Sequence, residues 1–64
     1  MTIKEAVYKM SFGMLVRHEE HPCGVYCCMN TDGTIEDPEM GRISETEFLE
    51  FYKYFEEGWH VYKG

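Results

Sequence analysis

The sequence predicts an α+β fold: a small antiparallel β-sheet of two to four strands, covered by one C-terminal amphipathic helix over about residues 45–57. Three patterns support it: alternating apolar residues early in the chain, an Asp-Gly pair between two apolar runs, and a late aromatic stripe at helical spacing. We expect a single domain, 1–64, because so short a chain buries only about 60% of its unfolded surface. That size excludes a large cofactor cavity.

The alternating stretch, residues 8–17, is typical of a half-buried strand. Its apolar side chains fall on one parity and its small or charged side chains on the other, and only Leu15 breaks the pattern. The alternative is a helix over residues 2–10, because Thr2 and Glu5 have the spacing of a capping box. We expect the strand.

A loop and a hairpin are predicted next. Residues 18–24 are polar, contain a proline and end in glycine, which is typical of a loop. The apolar run 25–29 is followed by 30–33, where an Asp-Gly pair predicts a hairpin turn. A short third strand is expected to begin at 34–35, and residues 36–42 are expected to form an irregular acidic loop.

The aromatic stripe predicts the main helix. Ser44 and Glu47 have the capping-box spacing, so the helix is expected to begin here. Aromatic side chains then recur on one face: Phe48, Phe51, Tyr52 and Phe55. Gly58 is expected to end the helix. Residues 59–62 are expected to form a last short strand or to fold back on the helix.

Two imidazoles and three thiols fall within one short segment: His18, His21, Cys23, Cys27 and Cys28. These are side chains that zinc prefers, but zinc sites usually present ligand pairs on two separate knuckles, and no second pair follows. We therefore interpret Cys27 or Cys28 as a small core residue and the histidines as part of a solvated loop. We expect no metal or other cofactor; the alternative is a module stabilised by a metal bound to this segment.

Residues 28–39 partly match a calcium-binding loop. They resemble an EF-hand loop at Gly33, Ile35 and Glu39, but Cys28 stands where the first aspartate ligand is expected. The segment before them has the composition of a strand and not of the entering helix. We therefore expect a hairpin turn followed by an acidic loop.

A cysteine–histidine dyad is the candidate for catalysis. Cys23 could pair with His18 or His21, but a nucleophile needs a base at hydrogen-bond distance in a pocket that excludes water. A chain this short has little volume for such a pocket. We therefore expect that the protein is not an enzyme.

Charge is the most informative pattern in the chain. Twelve acidic side chains oppose six basic ones, and residues 32–57 alone carry nine acidic and two basic side chains. The acidic excess argues against direct binding to nucleic acid or to an anionic membrane. It favours a basic protein as the partner, because complementary charge steers association.

Several carboxylates are expected on the helix face opposite the aromatic stripe, beside the acidic loop. Carboxylates in a row on a rigid support can imitate a phosphate backbone and block a basic groove. A tyrosine among them can stack on an arginine of the partner. The predicted partner-binding residues are Asp32, Glu36, Asp37, Glu39, Glu47, Glu50, Tyr54 and Glu57.

In size, acidity and α+β organisation the chain resembles the small DNA-mimic inhibitors of phages and mobile elements, including anti-CRISPR proteins. The resemblance implies a nucleic-acid-binding host protein as the target, such as the DNA-binding site of a CRISPR effector. An odd number of cysteines and an N-terminus without signal-peptide character predict a cytoplasmic location, in the host if the chain is phage-encoded. The alternative is a small homo-oligomeric adaptor, such as a homodimer, that pairs through exposed aromatic side chains: Tyr8, Trp59 and Tyr62.

Overall fold

The computed structural model describes residues 1–63 and contains two helices and two antiparallel sheets. In chain order the elements are α1 (Ile3–Met10), β1 (Val16–His18), β2 (Cys28–Met29), β3 (Ile35–Asp37), β4 (Gly41–Ile43), α2 (Glu45–Phe51) and β5 (Trp59–Val61). Strand β1 pairs with β5, and β3 lies between β2 and β4. The α+β prediction is confirmed at this level, as two helices with a two-stranded and a three-stranded sheet.

Helix α1 occupies a region where we expected a strand. The Thr2 hydroxyl accepts a hydrogen bond from the Glu5 backbone N–H, and the Glu5 carboxylate accepts one from the Thr2 N–H, which completes a capping box. One face of the helix then buries Ile3, Ala6 and Met10. The alternative that the sequence offered for residues 2–10 is therefore the correct one.

Only the end of the strand predicted over residues 8–17 exists, as β1. Its apolar alternation has two unrelated origins, because residues 8–10 form the last turn of α1 while Phe12 and Met14 are exposed in the connection that follows. Gly13 lies at φ +86°, which interrupts any continuous strand. The apolar alternation over residues 8–17 therefore arises from the end of a helix followed by a turn, and not from one strand.

The first sheet pairs β1, which follows α1, with β5 near the end of the described residues. Val16 lies opposite Val61, and His18 lies opposite Trp59. The amino group of Met1 donates a hydrogen bond to the Trp59 carbonyl oxygen at 3.0 Å, so the first residue is also held at β5. Strand β5 is the last short strand that the sequence offered as one of two outcomes.

The second sheet begins with the predicted Asp-Gly hairpin. The Asn30 N–H donates to the Thr34 carbonyl oxygen at 2.7 Å, and Gly33 takes φ +88°. A three-residue loop of this kind needs a residue with positive φ at its last position, which favours glycine. The hairpin that we preferred to a calcium-binding loop is confirmed.

A second hairpin occupies residues 36–42, where the expectation of an irregular acidic loop is wrong. Strands β3 and β4 pair with Asp37 opposite Gly41. The Asp37 carboxylate accepts hydrogen bonds from the backbone N–H groups of Glu39 and Met40, at 2.9 and 3.0 Å. The Asp37 side chain therefore stabilises this turn by hydrogen bonds to its backbone. The amino-acid composition of the segment did not indicate this role.

Helix α2 begins where it was predicted and ends earlier. Ser44 and Glu47 form the expected capping box. The predicted extent of 45–57, with Gly58 as its end, is wrong because the chain leaves helical geometry at Tyr52, with φ −101° and ψ 25°. The aromatic stripe continued past the point where the backbone turns.

Contacts beyond α2 show why it is short. The Phe55 N–H donates to the Tyr52 carbonyl oxygen at 2.9 Å, and the Trp59 indole donates to the Phe55 carbonyl oxygen at 2.6 Å. These bonds form a turn that directs the chain into β5. That α2 covers one face of a sheet stays a prediction.

Both helices and both sheets contribute to one hydrophobic core, made of Ile3, Ala6, Met10, Val16, Cys27, Ile35, Ile43, Phe48, Tyr52 and Trp59. Three polar side chains are buried as well: His18, His21 and Asp37. Neither helix in residues 1–63 has the length and apolar character needed to span a membrane.

Candidate functional site

The predicted partner-binding residues do not all lie on the surface. Six of them are exposed: Asp32, Glu39, Glu47, Glu50, Tyr54 and Glu57. Glu36 is half-buried and Asp37 is buried. Fewer of the predicted acidic residues are therefore exposed to a partner than the sequence predicted.

Asp37 is the clear correction, because only 5% of it is exposed. Successive side chains of a strand point to opposite faces, so Ile35 and Asp37 share the inward face of β3 while Glu36 points outward. The sequence analysis placed these residues in a loop and therefore missed this alternation. Asp37 is an interior residue and is unavailable to a partner.

Two of the predicted carboxylates belong to surface ion pairs. Glu36 lies 3.4 Å from the Arg42 guanidinium, and Glu50 lies 3.2 Å from the Lys53 ammonium. Exposed pairs of this kind contribute little to stability, so separating them costs little free energy. They leave both carboxylates able to meet a cation from another protein.

Two further carboxylates accept hydrogen bonds from residues close to them in the sequence. The Thr34 hydroxyl and backbone N–H lower the pKa of Asp32, and the Ser44 backbone N–H is the main cause that lowers the pKa of Glu47. Both groups stay charged and exposed. Their local roles are compatible with contact to a cation.

Tyr54 is 85% exposed, as the sequence predicted. The Lys53 ammonium lies 5.3 Å from the centre of its ring, within the range of a cation–π contact. A cation of this chain therefore occupies one face of the ring that was expected to stack on a partner arginine.

Asp37 lies at the centre of a buried polar cluster that also contains His21, Cys27 and Tyr52. The Tyr52 hydroxyl donates to Asp37 Oδ1 at 2.5 Å, and His21 Nε2 lies 2.9 Å from the same hydroxyl oxygen. The Cys27 thiol donates to Asp37 Oδ1 over 3.6 Å. Three side chains thus converge on one carboxylate, directly or through Tyr52.

The proton positions in the polar cluster follow from the His18 backbone N–H, which donates to His21 Nδ1 at 3.0 Å. Because Nδ1 accepts, the neutral ring carries its proton on Nε2 and donates it to the Tyr52 hydroxyl oxygen. Burial lowers the pKa of His21, and the charge of Asp37 opposes that shift in part. Burial also raises the pKa of Tyr52, with a further contribution from its bond to Asp37.

His18 is buried beside this cluster, so the expectation of histidines in a solvated loop is wrong. Its Nδ1 accepts from the Glu20 N–H at 3.0 Å, and its Nε2 donates to the Glu57 carbonyl oxygen at 2.7 Å. Its ring packs edge-on against Phe55 and Trp59, with both centroids at 5.2 Å. Both histidine rings are therefore part of the packed interior, while Glu19 and Glu20 between them are exposed.

The polar cluster includes the one group of three metal-binding side chains found together in residues 1–63. The donor atoms of His21, Cys27 and Asp37 lie within 4.8 Å of one another. The hydrogen bonds argue against a metal here, because His21 Nε2 presents a proton where a ligand must present a lone pair. Burial raises the pKa of the Cys27 thiol, which therefore keeps the proton that a metal would displace.

The structure does not assemble the candidate catalytic dyad. Cys23 is exposed, whereas His18 and His21 are buried. Within residues 1–63 no hydrogen bond joins Cys23 to either ring, and both rings are bonded to other groups. The Cys27 sulfur lies within 4.8 Å of a His21 ring nitrogen, but its raised pKa keeps it in the weakly nucleophilic thiol form.

A depression of about 210 Å³ opens beside the polar cluster; we call it the aromatic depression. It is lined by His18, Glu20, His21, Glu39, Phe51, Tyr52 and Phe55. Phe51 and Phe55 are 43% and 40% exposed, so apolar rings stand open to solvent here. Glu20 and Glu39 are exposed beside them.

A second, shallower depression of about 410 Å³ lies along α2, and we call it the helix-side depression. It is lined by Met40, Thr46, Glu47, Glu50 and Phe51. Phe51 borders both depressions, so together they form one surface, which we call the docking surface. Sequence reasoning missed Glu20 and Met40, because only the fold brings the first loop and the second hairpin to α2.

Comparison with known proteins adds no relative: no protein-family model, no curated protein and no solved structure matches this chain.

Proposed function

We propose that this chain is a non-enzymatic binding protein whose docking surface occupies a basic nucleic-acid-binding surface of another protein. One observation carries the proposal. The docking surface combines exposed apolar side chains with carboxylates, and within residues 1–63 neither lysine nor arginine lines it. Its chemistry is therefore complementary to a surface rich in lysine and arginine.

The apolar part of the docking surface favours long basic side chains over free cations. Met40 is 45% exposed, and Phe51 and Phe55 are exposed to a similar extent. Lysine and arginine bury their aliphatic stems against such residues while their charged ends reach a polar rim. The net charge of −6 adds long-range attraction to any basic partner.

A nucleic-acid-binding surface is the place where a partner gathers these side chains. Proteins that bind DNA or RNA line their grooves with lysine and arginine to neutralise phosphates. Carboxylates such as Glu39, Glu47 and Glu50 would occupy the same cations and exclude the nucleic acid. The DNA-binding site of a CRISPR effector, implied by the resemblance to DNA-mimic inhibitors, is one such target.

Charge reversal at the rim of the docking surface tests the proposal. The rim variant carries Glu20→Lys, Glu39→Lys and Glu50→Lys, and it keeps Glu47 because that residue caps α2. Immobilised wild-type and variant chains are exposed to a cell extract. Bound proteins are then eluted with duplex DNA and, separately, with salt.

A control variant with the same change of charge isolates position from net charge. It carries Glu19→Lys, Glu45→Lys and Glu56→Lys, at exposed residues that line neither depression. We expect wild type and control to retain a nucleic-acid-binding protein that duplex DNA releases, and the rim variant to retain it at least about tenfold less well. Equal retention by the rim variant, or retention that DNA does not displace, contradicts the proposal.

A second candidate function is self-association. Of the three aromatic side chains that the sequence offered for it, Trp59 is buried, Tyr62 is half-buried and only Tyr8 is exposed, as part of a separate apolar patch at the end of α1. Tyr8 and Phe12 are 64% and 67% exposed, their rings meet edge-on at 5.0 Å, and Met14 is 42% exposed. Such a patch can pair with its copy across a two-fold axis. Sedimentation of wild type and Phe12→Lys at high concentration tests it; a strict monomer in both contradicts self-association.

A further inference from the structure

We propose that the aromatic depression binds a single arginine side chain of the partner protein. This inference rests on the proposed function and deepens it, because it assigns one ligand group to one part of the docking surface. Three features of the depression support it: its arrangement of rings, its unused carboxylates and its size.

The rings of Phe51 and Phe55 flank Tyr52 and stand nearly perpendicular to it. The Phe51 and Tyr52 centroids are 4.8 Å apart at an interplanar angle of 86°, and those of Tyr52 and Phe55 are 6.1 Å apart at 79°. Tyr52 is fixed by its hydrogen bonds to the polar cluster, whereas the two outer rings are partly open. A cation that enters here meets aromatic rings in more than one orientation.

The histidines that line the depression have no free acceptor for a ligand. Each Nδ1 accepts a backbone N–H, and each Nε2 bonds to an oxygen of the protein, the Glu57 carbonyl for His18 and the Tyr52 hydroxyl for His21. The polar groups left for a ligand are carboxylates.

Glu20 and Glu39 supply those carboxylates. Within residues 1–63 neither side chain takes part in a hydrogen bond or an ion pair, unlike Glu36 and Glu50. Neither Lys53 nor Arg17 lines the depression. Lys53 pairs with Glu50, and one terminal nitrogen of the Arg17 guanidinium donates to the His21 carbonyl oxygen at 2.8 Å, while its buried Nε has no hydrogen-bond partner among the described residues. The depression thus offers only acceptors, and its ligand must bring the donors.

Guanidinium fits this combination better than ammonium does. It is planar and weakly hydrated, it stacks on aromatic faces, and its five N–H donors can serve two carboxylates at once. A lysine ammonium is a strongly hydrated point charge that would lose more solvation on entering. The volume of about 210 Å³ lies below the range of drug-sized ligand pockets, roughly 300–1,000 Å³, and suits one side chain.

Short peptides with a single changed residue provide the probe. The arginine peptide is acetyl-Gly-Gly-Arg-Gly-Gly-amide, and its counterparts carry lysine or citrulline, the uncharged and nearly isosteric analogue of arginine. Binding is followed through the chemical shifts of the Phe51 and Phe55 ring protons during titration. We expect the arginine peptide to bind at least about tenfold more tightly than the citrulline peptide, and also more tightly than the lysine peptide.

Variants of the protein test whether the preference for the arginine peptide depends on residues of the aromatic depression. In Glu20→Gln/Glu39→Gln the difference between arginine and citrulline should disappear, while Glu19→Gln/Glu56→Gln should keep it. Phe55→Leu should weaken binding of the arginine peptide several-fold; Phe55 is partly exposed, and a far-ultraviolet circular dichroism spectrum checks that the variant is folded. Equal affinity for arginine and citrulline, or a preference that persists without the two carboxylates, overturns the inference.

The outcome also separates this inference from the function on which it rests. If the extract experiment yields a partner that DNA displaces while arginine and citrulline peptides bind alike, the proposed function stands and the arginine site is wrong. If the arginine peptide is preferred but no partner is displaced by DNA, the arginine site stands and the nucleic-acid-binding target is wrong.

Discussion

The two helices begin with the same capping motif but bury side chains of different chemical character. Thr2 with Glu5 caps α1, and Ser44 with Glu47 caps α2, each through a complete capping box. From there α1 buries three aliphatic side chains. Helix α2 buries Phe48 and ends at Tyr52, whose hydroxyl enters the polar cluster.

Their outer faces differ in charge as well. Helix α1 carries Lys4 and Lys9 beside one acidic residue, Glu5, which is used as a cap. Helix α2 carries Glu45, Glu47 and Glu50 without a basic residue of its own. The docking surface that we propose lies along α2, where exposed aromatic rings and carboxylates occur without a basic residue of the helix. Helix α1 also exposes an aromatic ring and a carboxylate, those of Tyr8 and Glu5, but it carries two lysines.

Because of this difference, we expect substitutions in the interior beneath α1 and in the interior beside α2 to change the free energy of unfolding in different ways. The interior beneath α1 is apolar, and apolar packing depends mainly on volume. The interior beside α2 depends on the direction of hydrogen bonds, so a change of one atom can leave buried polar groups without partners.

The largest expected effect on stability is that of Asp37→Ala. The change leaves the Tyr52 hydroxyl, the Cys27 thiol and the N–H groups of Glu39 and Met40 without their acceptor. We expect a loss of about 3 kcal/mol in the free energy of unfolding, close to the whole stability of a domain this small. Urea denaturation followed by circular dichroism measures it; a loss below about 1 kcal/mol would contradict the central role of Asp37.

Tyr52→Phe should have the next largest effect. It removes one oxygen atom, which leaves the His21 N–H without its acceptor and Asp37 Oδ1 with only the weak bond from the Cys27 thiol; this should cost about 2 kcal/mol. Met10→Leu beneath α1 is the matched change, since Met10 is equally buried and the swap nearly conserves volume. We expect it to cost less than about 1.5 kcal/mol. Equal costs in the same denaturation experiment would remove the distinction between the two halves.

The two capping boxes provide an internal check, because here the helices should behave alike. Thr2→Ala and Ser44→Ala each remove a hydroxyl that accepts a backbone N–H at 3.1 Å. We expect each to lower the free energy of unfolding by about 1 kcal/mol. A difference of more than about 1 kcal/mol between them would mean that the helix starts are not equivalent.

The smallest expected effect is a pH-dependence that arises from His21, on the α2 side. Because burial lowers the pKa of His21, the unfolded chain binds its proton first as the pH falls. The stabilisation is complete above the ordinary pKa of histidine, about 6.5, and is lost as the pH falls towards the lower value in the folded protein.

Thermal melting of wild type and His21→Gln between pH 7.5 and pH 5 measures this effect. Asp37, Glu39, His18 and Arg17 also act on His21, so the informative quantity is the difference between the two proteins. Wild type should lose more stability than the variant on acidification. Parallel losses would show that His21 titrates normally in the folded protein.

Local signals predicted parts of the fold correctly. The capping box of α2 and the Asp-Gly hairpin each depend on residues close together in sequence, and both were found. The same type of signal at Thr2 and Glu5 was present, but the alternation over residues 8–17 outweighed it. Periodicity misled there because Phe12 and Met14 are exposed and do not belong to a buried face.

The site was less predictable because it depends on contacts distant in sequence. Charge identified Glu39, Glu47 and Glu50 as surface residues, whereas Asp37 needed the register of β3 to be recognised as buried. Glu20 reaches the site only because the first loop is packed against the end of α2. No local pattern in the sequence encodes that contact.

Chemical-shift mapping with the arginine peptide tests the central claim most directly, because it compares the two helices within one molecule. We expect the shifts to concentrate at Phe51, Phe55 and Glu39, with none at Tyr8 or Phe12 on α1 and its end. Salt should weaken the binding, as it does for any contact between opposite charges at a surface. Shifts centred on Tyr8 and Phe12, or spread evenly over both helices, would contradict the account.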